Sequence, residues 1–255
     1  MKETILKTLR EIEQEHDVRI IYAVESGSRA WGFASPDSDY DVRYIYVRRP
    51  EDYVRVDELP STIEGPLDDV LDFSGWDVRK ALGLLKKTNP SLMEWAYSPI
   101  VYLDSPVWQH FKREIPNYFG VKSEMHHYLS MAHSHWTQIS HTEQPKLKRY
   151  MYMLRALLCA QWLERFGTMP PVLFSELAEV MLTGDMRPVV DDLLARKKNA
   201  DEKGLVPHIP LLDDMYRRES VRLRDVAEQQ HVPENEGFPG LNRLLRELIV
   251  EAWQE

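Results

Sequence analysis

Two aspartates are the residues of this sequence best suited by type and spacing to catalysis. Asp39 and Asp41 lie in the run Ser38-Asp39-Tyr40-Asp41-Val42, which opens a segment rich in Val, Ile and Tyr. Alternate side chains of a strand project from one face, so a strand here would present both carboxylates together. Carboxylates are ligands that suit Mg²⁺ and Mn²⁺, and two of them can hold ions against the phosphates of a nucleotide. Arg43, on the same face, either steers these carboxylates or forms a plain ion pair.

A glycine and a serine precede the aspartates at a position that suits phosphate binding. Gly27 and Ser28 follow residues 18–24, an apolar, β-branched run typical of a buried strand. A Gly-Ser turn from a strand into a helix lets a phosphate approach the backbone N–H groups, and the Ser28 hydroxyl adds a donor. An ordinary helix cap is the alternative. Arg29 either reaches a phosphate or pairs with Glu25.

Hydrophobic periodicity places the elements that must position these residues. Apolar, β-branched runs predict strands at residues 18–24, 40–47 and 70–73. Helical spacing between Pro and Gly predicts helices at residues 3–15, 29–33, 75–87, 92–98, 105–118, 121–141, 146–166, 173–182, 187–198, 209–230 and 239–254. Ser74, with Asp77 three residues later, looks like a capping box. The fold class is α+β: a small mixed β-sheet domain with flanking helices at residues 1–104, then an all-helical domain at 105–255.

The ordered motif resembles the signature of the DNA polymerase β-like nucleotidyltransferase superfamily. That signature is Gly-Ser, a short helix and then Asp-x-Asp on a strand, matched here by Gly27-Ser28 and, after residues 29–38, Asp39-Tyr40-Asp41. The chain is further similar to the RNA-repair-pathway (RlaP-type) branch of that superfamily, at residues 27–46, 75–82, 89–95, 98–101, 147–155 and 170–171. The similarity spans roughly residues 18–177. It implies an NTP substrate, Mg²⁺ or Mn²⁺ as cofactor, and an RNA end as acceptor.

The resemblance also implies a third carboxylate on a neighbouring strand. This group completes the metal site or takes the proton of the acceptor hydroxyl. Asp72 is the candidate, because it lies in the strand-like run Val70-Leu71-Asp72-Phe73. Asp68 and Asp69 flank the start of that strand and are less well placed.

One face of a later helix offers a second set of ligand contacts. Lys148, Tyr152 and Arg155 fall at i, i+4 and i+7, so they would present two cations and a phenol together. Related enzymes use a helical subdomain to contact the triphosphate, which gives these residues a nucleotide-binding interpretation. A solvated basic face is the alternative. Tyr150 lies off this face and is expected to pack.

Composition limits the class of protein. The 255 residues carry a net charge of -9, which disfavours a protein that coats nucleic acid along a whole face but allows a short basic groove. Cys159 is the only cysteine, so no disulfide within the chain and no disulfide-linked partner is expected. No apolar run reaches the roughly 18 residues that a membrane span needs, and residues 1–17 lack an apolar signal core. We expect a cytoplasmic protein without membrane contact.

Together these features predict a metal-dependent nucleotidyltransferase. It would transfer NMP from ATP or another NTP to an acceptor hydroxyl, with an RNA 3′ end, tRNA included, as the preferred acceptor. Two other classes stay open. The same transfer could act on a protein or on a small molecule such as an aminoglycoside antibiotic, which the acidic pI favours. A non-catalytic module could bind nucleotide only, which the intact Asp-x-Asp disfavours.

Overall fold

Mixed α and β structure makes up the chain. The computed structural model describes residues 1–66, 70–199, 204–232 and 234–254. Its strands are β1 (Val18–Glu25), β2 (Tyr40–Arg48), β3 (Thr62–Glu64), β4 (Leu71–Asp77) and β5 (Val101–Asp104). Its helices are α1 (Lys2–His16), α2 (Gly27–Ala30), α3 (Val78–Lys86), α4 (Pro90–Ala96), α5 (Pro106–Tyr118), α6 (Val121–Ser140), α7 (Leu147–Phe166), α8 (Phe174–Met181), α9 (Met186–Asn199), α10 (Pro210–Glu228) and α11 (Gly237–Gln254). The α+β class is confirmed.

The five strands form one mixed sheet in the order β3-β4-β2-β1-β5. β2 runs parallel to β4, and the other neighbouring pairs are antiparallel. The two edge strands, β3 and β5, were not predicted. Both are short, and such segments show too little alternation to be recognised without their partners.

One face of the sheet is buried beneath α1. Ile5, Leu9 and Ile12 lie on a single face of that helix and belong to the same core cluster as Val42 and Tyr44 of β2. Because the strand alternates, burying Val42 and Tyr44 turns the side chains between them to the opposite face. The core thus determines which way the residues at positions 41 and 43 point.

The start of α3 differs from the predicted capping box. Ser74 lies inside β4, and the helix begins after Asp77, whose side chain accepts a hydrogen bond of 2.7 Å from the backbone N–H of Arg79. Strand pairing overrides the local signature here, because β4 stays in register with β2 through Asp77. Gly75 permits this pairing, since an added Cβ would lie 2.0 Å from the Tyr44 ring.

The chain divides into two compact units that do not follow the predicted boundary. Unit 1 holds the described residues of Met1–Ala30, Asp39–Phe119 and Pro233–Glu255, and unit 2 those of Trp31–Ser38 and Gly120–Val232. α5 and α11, expected in the helical domain at 105–255, therefore lie in the unit that contains the sheet. Helical periodicity indicates the type of an element but not the partner against which it packs.

Specific contacts account for this division. In unit 1, the Trp108 ring of α5 stacks on Tyr22 of β1 at 4.0 Å between centroids. Trp253 of α11 donates a hydrogen bond of 2.7 Å to the backbone oxygen of Arg48. In unit 2, the backbone oxygen of Trp31 accepts a hydrogen bond of 2.9 Å from the N–H of Phe174. Within the described residues, no helix combines the length and apolar character needed to cross a membrane.

Trp108→Ala tests the attachment of α5 to the sheet. The ring is fully buried between Tyr22 and Phe111, so its removal is expected to lower the free energy of unfolding by about 3–5 kcal/mol. Urea denaturation followed by circular dichroism measures the change. Phe238→Ala, at an exposed aromatic residue of the same unit, is the control and should cost less than about 1 kcal/mol. Equal losses in both variants would contradict the packing described here.

Candidate active site

The turn after β1 and the start of β2 are packed directly against each other. Gly27 has a φ of 61°, and a Cβ built on it would lie 2.2 Å from Oδ2 of Asp41. The backbone N–H of Ser26 donates to the backbone oxygen of Asp41 at 2.9 Å, which ties the two segments together. Only glycine suits both this backbone conformation and this approach. The Gly-Ser turn and one aspartate of Asp-x-Asp therefore meet in space.

Asp41 and Asp72 face the same space from neighbouring strands. They are register partners in the parallel pairing of β2 with β4. Arg43 lies between them: its Nη2 is 2.9 Å from Oδ1 of Asp41 and 2.7 Å from Oδ2 of Asp72. The side chains of Asp41 and Asp72 remain 32% and 56% exposed, so solvent and ligands can reach both. We call these two residues the carboxylate pair. Asp68 and Asp69, the weaker candidates for a third carboxylate, lie outside the described residues.

Asp39 lies just before β2 and is exposed. Its backbone oxygen accepts a hydrogen bond of 3.0 Å from Nε of Arg29, whose guanidinium also stacks 3.7 Å from the Tyr40 ring centroid. Arg29 therefore links α2 to the residues at the start of β2. Ser28, expected to offer a hydroxyl to phosphate, is buried. Phosphate contacts by Ser28 and Arg29 stay predictions.

The described part of the chain holds no group of three or more His, Cys, Asp or Glu side chains placed to bind a metal ion as it stands. The donor set is nevertheless chemically suited to a hard divalent cation, because it consists of carboxylate oxygens partly open to solvent. If Asp39, Asp41 and Asp72 hold metal, their side chains must adjust around the ion. Their assignment as metal ligands stays a prediction.

Glu25 holds the backbone of Asp41 in place, a role that the sequence did not predict. Its side chain is fully buried; Oε1 accepts the backbone N–H of Asp41 at 2.8 Å, and Oε2 accepts the Tyr102 hydroxyl. Burial raises the pKa of Glu25, while the hydrogen bonds from Tyr102 and Asp41 oppose that shift. The only signal in the sequence is a carboxylate at the end of a mostly apolar strand.

The predicted face of α7 is only partly realised in unit 2. Arg155 is 2% exposed, and its guanidinium lies 4.3 Å from the Trp31 ring centroid. Tyr152 is half-buried and packs edge-on against Trp31 at 5.1 Å, while Lys148 is also half-buried. Arg155 is buried because α7 is covered on almost every side, and its contact with nucleotide stays a prediction. Nucleotide contacts by Lys148 and Tyr152 stay predictions.

Tyr150 packs as expected. It is fully buried, and its hydroxyl donates to Oδ1 of Asp213 at 2.7 Å.

Comparison with known proteins assigns the chain to a family. Residues 1–247 match the RNA repair pathway DNA polymerase beta family. The chain belongs to that family. The uncharacterized protein YcgL of Bacillus subtilis (strain 168) is 38% identical over 257 residues, covering 100% of this chain and 99% of that protein. A nucleotidyltransferase-like protein of Exiguobacterium sibiricum 255-15, known from a crystal structure, is 14% identical with a TM-score of 0.32, covering 97% of this chain and 77% of that chain.

Gly27→Ala tests the close approach in this polymerase beta family member. An alanine must adopt a left-handed conformation and push against the Asp41 carboxylate, so we expect a loss of about 1–3 kcal/mol in the free energy of unfolding. Gly83→Ala in α3 is the control, because an added Cβ there meets nothing within 4 Å. It should be neutral or stabilising by up to about 1 kcal/mol. Equal effects at the two glycines would refute the contact.

Glu25→Gln tests the buried carboxyl. When folding raises the pKa of a carboxyl, its protonated form stabilises the folded protein. That contribution to the free energy of unfolding is complete below the ordinary pKa of 4.5 and is lost as pH rises through the folded pKa. The wild-type melting temperature should therefore fall relative to that of Glu25→Gln as the pH rises above 4.5. The exposed Glu58→Gln is the control, and its difference from wild type should stay constant. A constant difference for Glu25→Gln as well would contradict the assignment.

Proposed function

We propose that this family member is a metal-dependent nucleotidyltransferase that transfers NMP from an NTP to a hydroxyl at an RNA 3′ end. The observation that carries the proposal is the carboxylate pair, Asp41 and Asp72, placed in register beside the Gly27 turn. Membership in the RNA repair pathway DNA polymerase beta family supports the reaction class and the choice of RNA. The intact Asp-x-Asp motif favours a catalytic protein over a module that only binds nucleotide.

The contact between Gly27 and Asp41 argues for a metal ion. A phosphate held at the Gly27 backbone would lie next to the Asp41 carboxylate, and two anions this close repel unless a cation is present. Asp39, Asp41 and Asp72 would hold Mg²⁺ or Mn²⁺. Bound there, such ions neutralise the triphosphate, lower the pKa of the attacking hydroxyl and stabilise the leaving pyrophosphate.

The residues of the chain would share the remaining tasks. Gly27 leaves room for the Asp41 carboxylate, and the Ser28 hydroxyl and Arg29 guanidinium would donate to the phosphates. Asp72 would accept the proton of the acceptor hydroxyl while the hydroxyl oxygen forms a bond to the α-phosphorus. The bond from that phosphorus to the pyrophosphate oxygen breaks as the new bond forms. Lys148 and Tyr152 remain candidates for contacts to the nucleotide. An RNA substrate and a single cysteine suit a cytoplasmic setting.

Asp39→Asn combined with Asp41→Asn tests the assignment. The protein is incubated with each α-³²P-labelled NTP, Mg²⁺ and either total RNA or RNA-free lysate, and the label is located by gel electrophoresis. Label on RNA ends is expected for wild type. The double variant should lose at least about a hundredfold in rate, because charge stabilisation is usually the largest catalytic contribution.

Asp57→Asn provides the matched control. Asp57 is exposed, lies in the same unit and pairs with Arg55, so the variant should keep the wild-type rate. Label on protein or on a small molecule would identify that molecule, and not RNA, as the acceptor. Wild-type transfer by the folded double variant would falsify the metal assignment, and bound nucleotide without any transfer would identify a binding module.

A further inference from the structure

Arg43 is held by contacts on both central strands. Besides the carboxylate pair, its Nη1 donates to the backbone oxygen of Asp72 at 3.1 Å and to that of Val42 at 3.2 Å. The side chain is only 18% exposed. Four acceptors on β2 and β4 therefore fix the guanidinium, and its position is a property of the sheet rather than of a mobile surface chain.

The guanidinium of Arg43 places a permanent positive charge between the two carboxylates of the pair. Arginine stays protonated at every pH relevant to a protein. Asp41 and Asp72 face each other across adjacent strands, where like charges repel strongly unless a cation compensates them. Arg43 supplies that cation and contacts one oxygen of each carboxylate.

We propose that Arg43 is a built-in counter-ion that opposes entry of a divalent metal until nucleotide arrives. A metal ion drawn to the same two oxygens must share them with the guanidinium, and two cations at one point repel. The phosphates of an incoming NTP add negative charge that favours both cations together. Metal binding is then coupled to nucleotide binding. This inference rests on the proposed metal-dependent function, in which Arg43 acts as a positioning residue.

Mn²⁺ titration without nucleotide measures the effect directly, with the free ion followed by electron paramagnetic resonance. Wild-type protein is expected to bind Mn²⁺ weakly. Arg43→Met removes the charge but keeps much of the apolar stem, and its Kd for Mn²⁺ should fall at least about tenfold, which is within the usual range of coupling between sites. Arg43→Lys keeps a cation, and its Kd should stay within about threefold of wild type.

Three further variants and a fold check separate this effect from structural damage. Circular dichroism establishes that each variant is folded. Arg43→Met combined with Asp41→Asn should lose the added Mn²⁺ affinity, because the carboxylate pair is then incomplete. Arg43→Met combined with Asp72→Asn should lose this added affinity for the same reason. Arg55→Met, which removes one charge from an ion pair elsewhere in unit 1, should bind Mn²⁺ like wild type.

The outcomes distinguish this inference from the proposed function. Unchanged or weaker Mn²⁺ binding by folded Arg43→Met overturns the counter-ion role, whatever the transfer assay shows. Tighter binding that survives Asp41→Asn also overturns it, because the ion then lies elsewhere. Tighter binding that requires Asp41, in a protein that transfers no label, supports the role of Arg43 while the proposed reaction fails.

Discussion

Repulsion between two carboxylates on adjacent strands is the constraint around which the site is built. Asp41 and Asp72 are register partners, so the sheet itself brings them together. Backbone pairing cannot hold like charges at this spacing without cost, and Arg43 offsets that cost by contacting both side chains. The proposed metal site needs concentrated negative charge, yet the protein also has to fold before an ion arrives. One fixed guanidinium would meet both requirements.

The surrounding structure keeps this arrangement rigid. Burial of Val42 and Phe73 on the α1 side of the sheet directs the carboxylate pair to the opposite face, because a slip by one residue would exchange the two faces. Behind the turn, Glu25 holds the backbone N–H of Asp41, and the Ser98 hydroxyl donates to the Glu25 backbone oxygen at 2.7 Å. Position 41 is thus fixed through its main chain, which leaves its carboxylate to interact with cations.

The local parts of this site could be predicted from the sequence, and its long-range parts could not. A Gly-Ser turn after an apolar run and two aspartates at the start of a β-branched run are visible in neighbouring residues. The choice of Asp72 needed family resemblance, because its register with Asp41 depends on pairing between segments far apart in the chain. Glu25 and Ser74 show the same limit: Glu25 falls just outside the predicted strand 18–24, and Ser74 looked like a helix cap, until their strand partners were known.

The two arginines at sites of interest show why a charged residue cannot be assigned from spacing alone. Arg155 shares a helical face with Lys148, but α7 is buried around most of its circumference, so the guanidinium packs on Trp31 inside unit 2. Arg43 lies in the first half of β2, where alternate residues are partly exposed, and its fork of donors meets carboxylates from two strands. A lysine would keep the charge but not the planar fork that makes these contacts. Whether an arginine packs against an aromatic ring or interacts with carboxylates thus depends on the partners that its guanidinium meets.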